Sequence, residues 1–504
     1  MKDYLIALLT NYLGLFLSIA IQVFLLPFLL NNMGARMTGL YYLFMTVSNF
    51  VAVGISWLTG AGVYFLASSG TKHNETDIQE THWAVFLGYT GYATFILIII
   101  SVGALKAGDW WLCDAEPPLV REGCNACFIL GLYIWVTYLH FADITLLTAT
   151  LQQGWANFYR VVSQLIFVGG VVIFVISEPR LDLLMLANLA GSLSAAVAAR
   201  LHLRISGKLG PFKWHLPDTG LLKQIFLTKG SSYFIFGVAQ FGLIYGDVLI
   251  IGAILGSEKV AAYLVIWKIP EVIALILGRV SEILSPYLTR IESRQGSSST
   301  ADVFLCVSRL LHCLGLIAGF AYALFGPSIV GLWVGEANRP DVSWYYWLAG
   351  AVLVIQVVNR HDIVLHYALA KLGNLVFAQF AELILKALLT IILFKWLGII
   401  APMVAALTVQ LFGLTWLYRT SALKQVNSHW KDWFSKVGVW LFAVSAAIGA
   451  GSFAICQIVP KGGNTSFIIS MCIYTCIAVM SVYIIEMHQA KNGIFNLHKM
   501  LSKA

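Results

Sequence analysis

Charge is scarce in this 504-residue sequence: Asp, Glu, Lys and Arg make up 11% of it, against 59% apolar residues. Soluble globular proteins carry about 25% charged residues. So little polarity cannot cover a water-exposed body of this length, which excludes a soluble enzyme, a disordered chain, a coiled coil and a collagen-like chain. Long polar connections are missing as well. The longest breaks between apolar runs fall at about 106–122 and 205–229, too short for a catalytic domain outside the membrane. No P-loop, nucleotide fold or nucleophile–base constellation is visible, so neither direct ATP drive nor a cofactor is expected. The eight cysteines give no metal signature, because Cys124-Asn125-Ala126-Cys127 is a CxxC without a second half. Cys113 and Cys124 flank part of an outside loop and could form a disulfide in an oxidising periplasm.

A helical membrane protein remains. Apolar runs of span length lie at about 5–30, 39–67, 83–105, 123–150, 158–177, 183–204, 230–255, 260–289, 303–326, 343–369, 373–394, 400–420, 437–459 and 465–486. The first begins near Leu5 and reads as retained rather than cleaved. The runs are continuous rather than alternating, so strands of a barrel are implausible. The expectation is an all-α polytopic membrane protein with about fourteen transmembrane helices. With both termini on one side, nineteen of the 32 basic residues fall in loops of that side, Arg160, Arg200 and Arg419 among them, and eight fall opposite. That bias places both termini in the cytoplasm. The net charge of +8 then reports topology and attraction to membrane lipids, not a nucleic-acid partner.

The sequence repeats itself. Met33-Gly34-Ala35-Arg36-Met37-Thr38-Gly39-Leu40-Tyr41 aligns with Leu255-Gly256-Ser257-Glu258-Lys259-Val260-Ala261-Ala262-Tyr263. The same ungapped shift carries Asn11 to Tyr233, Ser18 to Gln240, Thr46 to Lys268 and Asn49 to Glu271, so polar positions stay in phase. Two parallel six-helix lobes are expected, at 1–205 and 230–420, joined by a cytoplasmic linker at 206–229. Residues 421–504 add an interfacial segment, two extra helices and a cytoplasmic tail. Transporters often have this build, with the substrate site between lobes.

Ionisable groups inside spans are costly and usually face a bundle interior or a wet cavity. The eighth span carries Lys268, Glu271, Arg279 and Glu282 within about 80° of one another on one face, over a rise of about 21 Å. Pro270 inside the stripe predicts a kink. Two readings stand: ion pairs that lock this helix to a neighbour, or the wall of a hydrated cavity, which the length of the stripe favours. Arg279 and Arg360 are candidates for gripping an anionic head group, since guanidinium stays charged and binds phosphate oxygens bidentately. The competing reading pairs Arg279 with Glu282 and Arg360 with Asp362 alone. Gln240 and Asp247 share a face of span seven, Asp362 and His366 are i,i+4 in span ten, and Gln379, Glu382 and Lys386 line one face of span eleven. His140 and Asp143 stand i,i+3 in span four. Asn49 belongs to an uncharged stripe in the first lobe. Asp247, Asp362, His366 and Glu382 are the candidates for coupling to a proton or sodium ion.

Asp247-Val-Leu-Ile-Ile-Gly252, Leu255–Tyr263, Lys268-Ile269-Pro270 and Ser285-Pro286-Tyr287 resemble the seventh-to-eighth span signature of Wzx-type O-antigen and polysaccharide flippases. The opening Gln22…Leu25-Leu26-Pro27…Met33-Gly34…Gly39-Leu40-Tyr41 looks like the start of the same family. It belongs to the MOP superfamily, with the MATE drug exporters and the lipid II flippase. The resemblance implies two lobes rocking by alternating access around a central cavity, in a bacterial inner membrane. Its implied cargo is a polyprenyl-pyrophosphate-linked oligosaccharide moving from the cytoplasmic to the periplasmic leaflet, with polysaccharide polymerase or assembly proteins as partners. It implies cavity roles for Lys268, Glu271, Arg279, Glu282 and Asp247.

Two other functions compete. A cation-coupled multidrug exporter would want an acidic, aromatic pocket, whereas here Arg279 and Arg360 are prominent. A membrane glycan polymerase or ligase would need a large outside loop.

Overall fold

The computed structural model describes residues 2–71, 75–105, 117–150, 152–207, 230–369, 373–458 and 464–488, the side chains of some helix ends excepted. Its elements are α1 (Lys2–Thr71), α2 (Glu75–Ala104), α3 (Pro117–Ala149), α4 (Gln153–Ser177), α5 (Leu181–Ile205), α6 (Gly230–Leu255), α7 (Ser257–Gln295), α8 (Ser297–Val334), α9 (Trp344–Ala368) and α10 (Gly373–Leu397). Next come α11 (Ala401–Val409), which runs through a π turn into α12 (Thr415–Gln425), and the short α13 (Trp430–Trp433), which leads through another into α14 (Val439–Ile458). The last is α15 (Asn464–His488). No strand occurs among the described residues. All fourteen apolar runs fall on helix, because lipid offers the backbone no hydrogen-bond partner and a helix supplies its own. Eleven described helices are long and apolar enough to cross a membrane. Two of those stretches hold two expected spans each: α1, broken at Gly34, and 375–425, broken by the tight turn at 398–400. Pro270, expected to kink its span, lies within the continuous α7.

Large apolar side chains face outward, while charged groups are buried within. Phe16, Phe24, Phe377, Phe412 and Phe442 are exposed, while Asp143, Arg309, His312, His361, Asp362, Glu382, Lys386 and Arg419 are buried. That inversion is the mark of a body solvated by acyl chains. This is a multi-pass membrane protein.

The chain forms two compact units, Met1–Ala261 and Ala262–Ala504. The expected linker at 206–229 falls almost wholly outside the described residues. In the first unit α1 packs on α2, α4 and α6, and α5 packs on α3 and α4. The approach of α1 to the start of α7 requires a bare backbone, since a Cβ on Gly39 would sit 1.7 Å from the Ser257 carbonyl oxygen. Gly34 and Gly256, matched by the repeat, both hold a left-handed backbone, φ 76° and 83°. Only glycine visits that region at little cost, so the same turn is built twice.

In the second unit α8 is central. It packs on α9 through Gly319 and Gly350, whose backbones touch, the small-residue crossing used where helices meet in lipid. A core of Leu284, Leu288, Phe304, Leu311, Leu353 and Leu423 ties α7, α8, α9 and α12 together. The last two spans dock on α8 as well. Val444, Ile448, Tyr474 and Ala478 pack against Cys313 and Phe325, and Tyr474 donates its hydroxyl to the Ile317 carbonyl at 2.6 Å.

Candidate functional site

The charged face of α7 is built as two clusters, the first largely buried and the second half-exposed. Near its start, Lys268 Nζ donates to Glu271 Oε2 at 3.0 Å. Further along, Arg279 Nη1 donates to Glu282 Oε2 and Arg360 Nη2, from α9, donates to Glu282 Oε1, each at 2.6 Å. Arg360 thus reaches across to α7 and does not pair with its near neighbour Asp362. Gly278 makes room for it: a Cβ there would lie 3.4 Å from Arg360 Cγ. One carboxylate held by two guanidiniums leaves the cluster net positive. The Arg279 and Arg360 side chains are 49% and 36% exposed. An anion with several oxygens can take the place of Glu282 on the two forks.

The other candidates of this unit lie elsewhere. Asp362 is fully buried and accepts from Arg419 Nε at 2.8 Å. The i,i+4 relation to His366 does not join the side chains. His366 Nδ1 bonds the Asp362 carbonyl at 2.8 Å, and its Nε2 meets Ser421 Oγ at 2.8 Å. Glu382 accepts from Gln410 Nε2 and Tyr418 OH, both at 2.6 Å, inside the packing of α10 on α11 and α12. Gln379 and Lys386 are buried on the same face of α10. Asn49, Gln240 and Asp247 belong to the first unit, on the packed pair α1 and α6. Asp247 is buried, and the other two are partly so.

Sequence reasoning missed a second kind of feature. Arg200 and Arg419, counted above as loop cations, lie inside helices and are bound to aspartates. Arg200 Nε donates to Asp143 Oδ2 at 2.8 Å, with Phe86 under its guanidinium at 4.7 Å. Arg419 Nε donates to Asp362 Oδ2 at the same distance, with Trp433 under it at 4.8 Å. Each pair is separated by 57 residues. The shift of 219 that takes Asp143 onto Asp362 takes Arg200 onto Arg419, three short of the 222 that relates Gly34 to Gly256, so each unit carries the same clasp but out of register with the ungapped repeat. His140, paired with Asp143 in the sequence reading, has no partner for its Nδ1. His82 instead lies 3.5 Å from Asp143.

Of the cysteines, Cys113 lies outside the described residues. Among the described residues no group of three or more His, Cys, Asp and Glu is placed to hold a metal ion.

The fold is one seen in solved membrane transporters and flippases. The structure is similar to the lipid II flippase MurJ in an inward closed conformation, with a TM-score of 0.71 at 12% identity over 97% of this chain and 99% of that one. It is also similar to a multidrug resistance MATE family transporter of the MOP superfamily in its inward-facing conformation, with a TM-score of 0.66 at 12% identity over 82% and 96%. By sequence, the chain is 24% identical over 363 residues to the uncharacterized membrane protein EpsK of Bacillus subtilis (strain 168), covering 68% of each. No family model matches the sequence.

Proposed function

We propose that the protein is a flippase of the Wzx type, carrying a polyprenyl-pyrophosphate-linked oligosaccharide from the cytoplasmic to the periplasmic leaflet of a bacterial inner membrane. The observation that carries this reading is the convergence of Arg279 and Arg360 on Glu282. A diphosphate presents several oxygens at guanidinium spacing and displaces Glu282, which then serves as the internal counter-ion of the empty state. Lys268 and Glu271, about three turns before, form a second charged step for the sugar or the phosphate to pass. Asn49 and Gln240 offer uncharged hydrogen-bonding groups suited to a glycan. The lipid tail stays in the bilayer. The likeness to a solved lipid II flippase supports the reading, since that protein is named for a lipid cargo.

Alternating access needs an energy source, here a proton or sodium gradient acting on Asp247, Asp362, His366 or Glu382. Both termini are cytoplasmic, and polysaccharide polymerase or assembly proteins take over the flipped unit.

A cation-coupled multidrug exporter is the second reading, favoured by the MATE likeness. An exporter of cations would have to bring them past Arg279 and Arg360, which repel them.

Deletion in the native host separates the two. Loss of surface polymer, with complete repeat units stranded on polyprenyl pyrophosphate at the cytoplasmic leaflet, is the expected result. Normal polymer with heightened sensitivity to cationic drugs would replace this reading with the second.

A further inference from the structure

Three polar contacts join α7 to α9. Arg360 Nη2 donates to Glu282 Oε1 at 2.6 Å, Ser281 Oγ lies 2.9 Å from His361 Nδ1, and Thr289 Oγ1 donates to the Ala368 carbonyl at 2.6 Å. The partners advance together along both helices, so the two run parallel here in one register. Only the middle contact is dry: Ser281 and His361 are each 1% exposed. Its direction is fixed from the far side of the ring, where His361 Nε2 is 3.2 Å from the Phe304 carbonyl of α8. A carbonyl can only accept, so Nε2 carries the ring hydrogen and Nδ1 accepts from the Ser281 hydroxyl. The ring also lies flat on Phe304, with centroids 4.8 Å apart and planes at 8°. A directed chain of hydrogen bonds thus runs from α7 through α9 to α8.

We infer that Ser281 and His361 are positioning residues that set Arg360 onto Glu282. Each is the chain neighbour of a member of the charged cluster, Ser281 of Glu282 and His361 of Arg360. The register they hold matters because the Arg360 stem lies over Gly278, where a Cβ would sit 3.4 Å from Cγ. A slip of one residue along α7 puts Leu277 or Arg279 in place of that glycine and takes the room away. The ion pair cannot hold the register by itself. Its side chains are 36% and 30% exposed, and a wet ion pair contributes little. Losing the buried hydroxyl, by contrast, strands a ring nitrogen out of water, which costs more than a hydrogen bond is worth in water. The consequence for cargo rests on the reading of Arg279, Glu282 and Arg360 as an anion site: with Arg360 in place two guanidiniums grip one diphosphate, and with Arg360 astray Arg279 grips it alone.

The test compares Ser281→Ala, His361→Phe, Ser281→Thr and Thr289→Ala, each purified as the full chain in lipid nanodiscs. Ser281→Thr keeps the hydroxyl. Thr289→Ala removes a contact of the same helix pair about two turns away, and so reports plain loosening of the packing. The first readout needs no ligand. It is the 15N resonance of the Arg360 guanidinium, assigned by its absence in Arg360→Lys, with Glu282→Gln giving its position when the carboxylate is gone. The second is affinity for inorganic pyrophosphate. The expected result is that Ser281→Ala and His361→Phe move the resonance to the Glu282→Gln position, while Ser281→Thr and Thr289→Ala leave it at the wild-type one. In the first two variants pyrophosphate affinity falls on the order of tenfold, and adding Arg360→Ala lowers it no further. If Ser281→Ala does not fold, His361→Phe, which keeps a ring on Phe304, carries the test. A wild-type resonance in these variants overturns the inference, as does an equal displacement in Thr289→Ala or a further loss of affinity on adding Arg360→Ala. Resonances that move as expected in a protein that binds no pyrophosphate support the positioning and overturn the anion site of the flippase reading instead.

Discussion

Arg360 donates to Glu282 at 2.6 Å from another helix, although an aspartate stands two residues along its own chain. The choice of partner brings a second guanidinium to the carboxylate that Arg279 already holds. Arg279→Ala and Arg360→Ala should each lower affinity for the lipid-linked cargo on the order of tenfold, the worth of one charge-assisted contact. Lysine at either position should not restore it, because a single ammonium cannot fork. Competition by inorganic pyrophosphate in detergent checks this, with expression and insertion as controls. Glu282→Gln should bind pyrophosphate more tightly and turn over more slowly, having lost its internal competitor.

The two clasps differ in depth, and their removal should differ accordingly. Asp362→Asn leaves Arg419, 2% exposed, without its counter-ion, whereas Asp143→Asn leaves Arg200 at 29%. Breaking a buried pair from one side costs about 3–5 kcal/mol, and the partly wet pair should cost much less. Thermal unfolding in detergent should show the larger loss for Asp362→Asn. Replacing both members, as Asp362→Leu with Arg419→Met, should recover much of it, because the desolvation of both charges goes with them.

Glycines that carry a helix crossing should resist any side chain. A Cβ on Gly39 meets the Ser257 carbonyl, and one on Gly319 comes within 2.7 Å of the Gly350 carbonyl oxygen. No rotamer change moves a backbone atom, so Gly39→Ala and Gly319→Ala should each destabilise by more than about 1 kcal/mol. Gly246→Ala, with nothing within 4 Å, should be neutral or slightly stabilising. Melting curves of the three variants decide it.

The last helix pair should matter to α8 rather than to the charged face. Tyr474→Phe removes one hydrogen bond, to the Ile317 carbonyl, and should cost about 1 kcal/mol. Deleting residues 437–504 should expose Phe325 and its neighbours and lower stability far more. Thermal stability of the two variants, measured alongside pyrophosphate binding, should fall in that order with binding preserved in Tyr474→Phe.

Span positions were legible in the sequence because hydrophobic length alone sets them. The turn after the first span of each set was legible too, since Gly34 and Gly256 sit in matching sequence and both need a positive φ. The partner choices were not. Helical periodicity puts Arg279 beside Glu282, but nothing in the spacing tells Arg360 to bypass Asp362 for another helix. Arg200 and Arg419 were lost for a related reason. They lie near span ends, where the positive-inside rule counts every cation alike and says nothing of burial. The signal that would have found them was the equal spacing of Asp143 to Arg200 and Asp362 to Arg419, which the ungapped repeat misses by three residues. A polar residue's neighbours on other helices depend on tertiary packing, which a one-dimensional pattern does not carry.

The most direct measurement is leaflet exchange in proteoliposomes that hold the purified protein and a polyprenyl-pyrophosphate-linked saccharide, read by a membrane-impermeant glycan-modifying enzyme added outside. With an ion gradient imposed, the wild-type protein should expose the inner-leaflet pool to the enzyme. Arg279→Ala and Arg360→Ala vesicles should stop at the outer-leaflet fraction. Wild-type vesicles that also stop there under proton and sodium gradients of either direction, or either variant flipping at the wild-type rate, would contradict a flippase built on the Arg279–Glu282–Arg360 cluster.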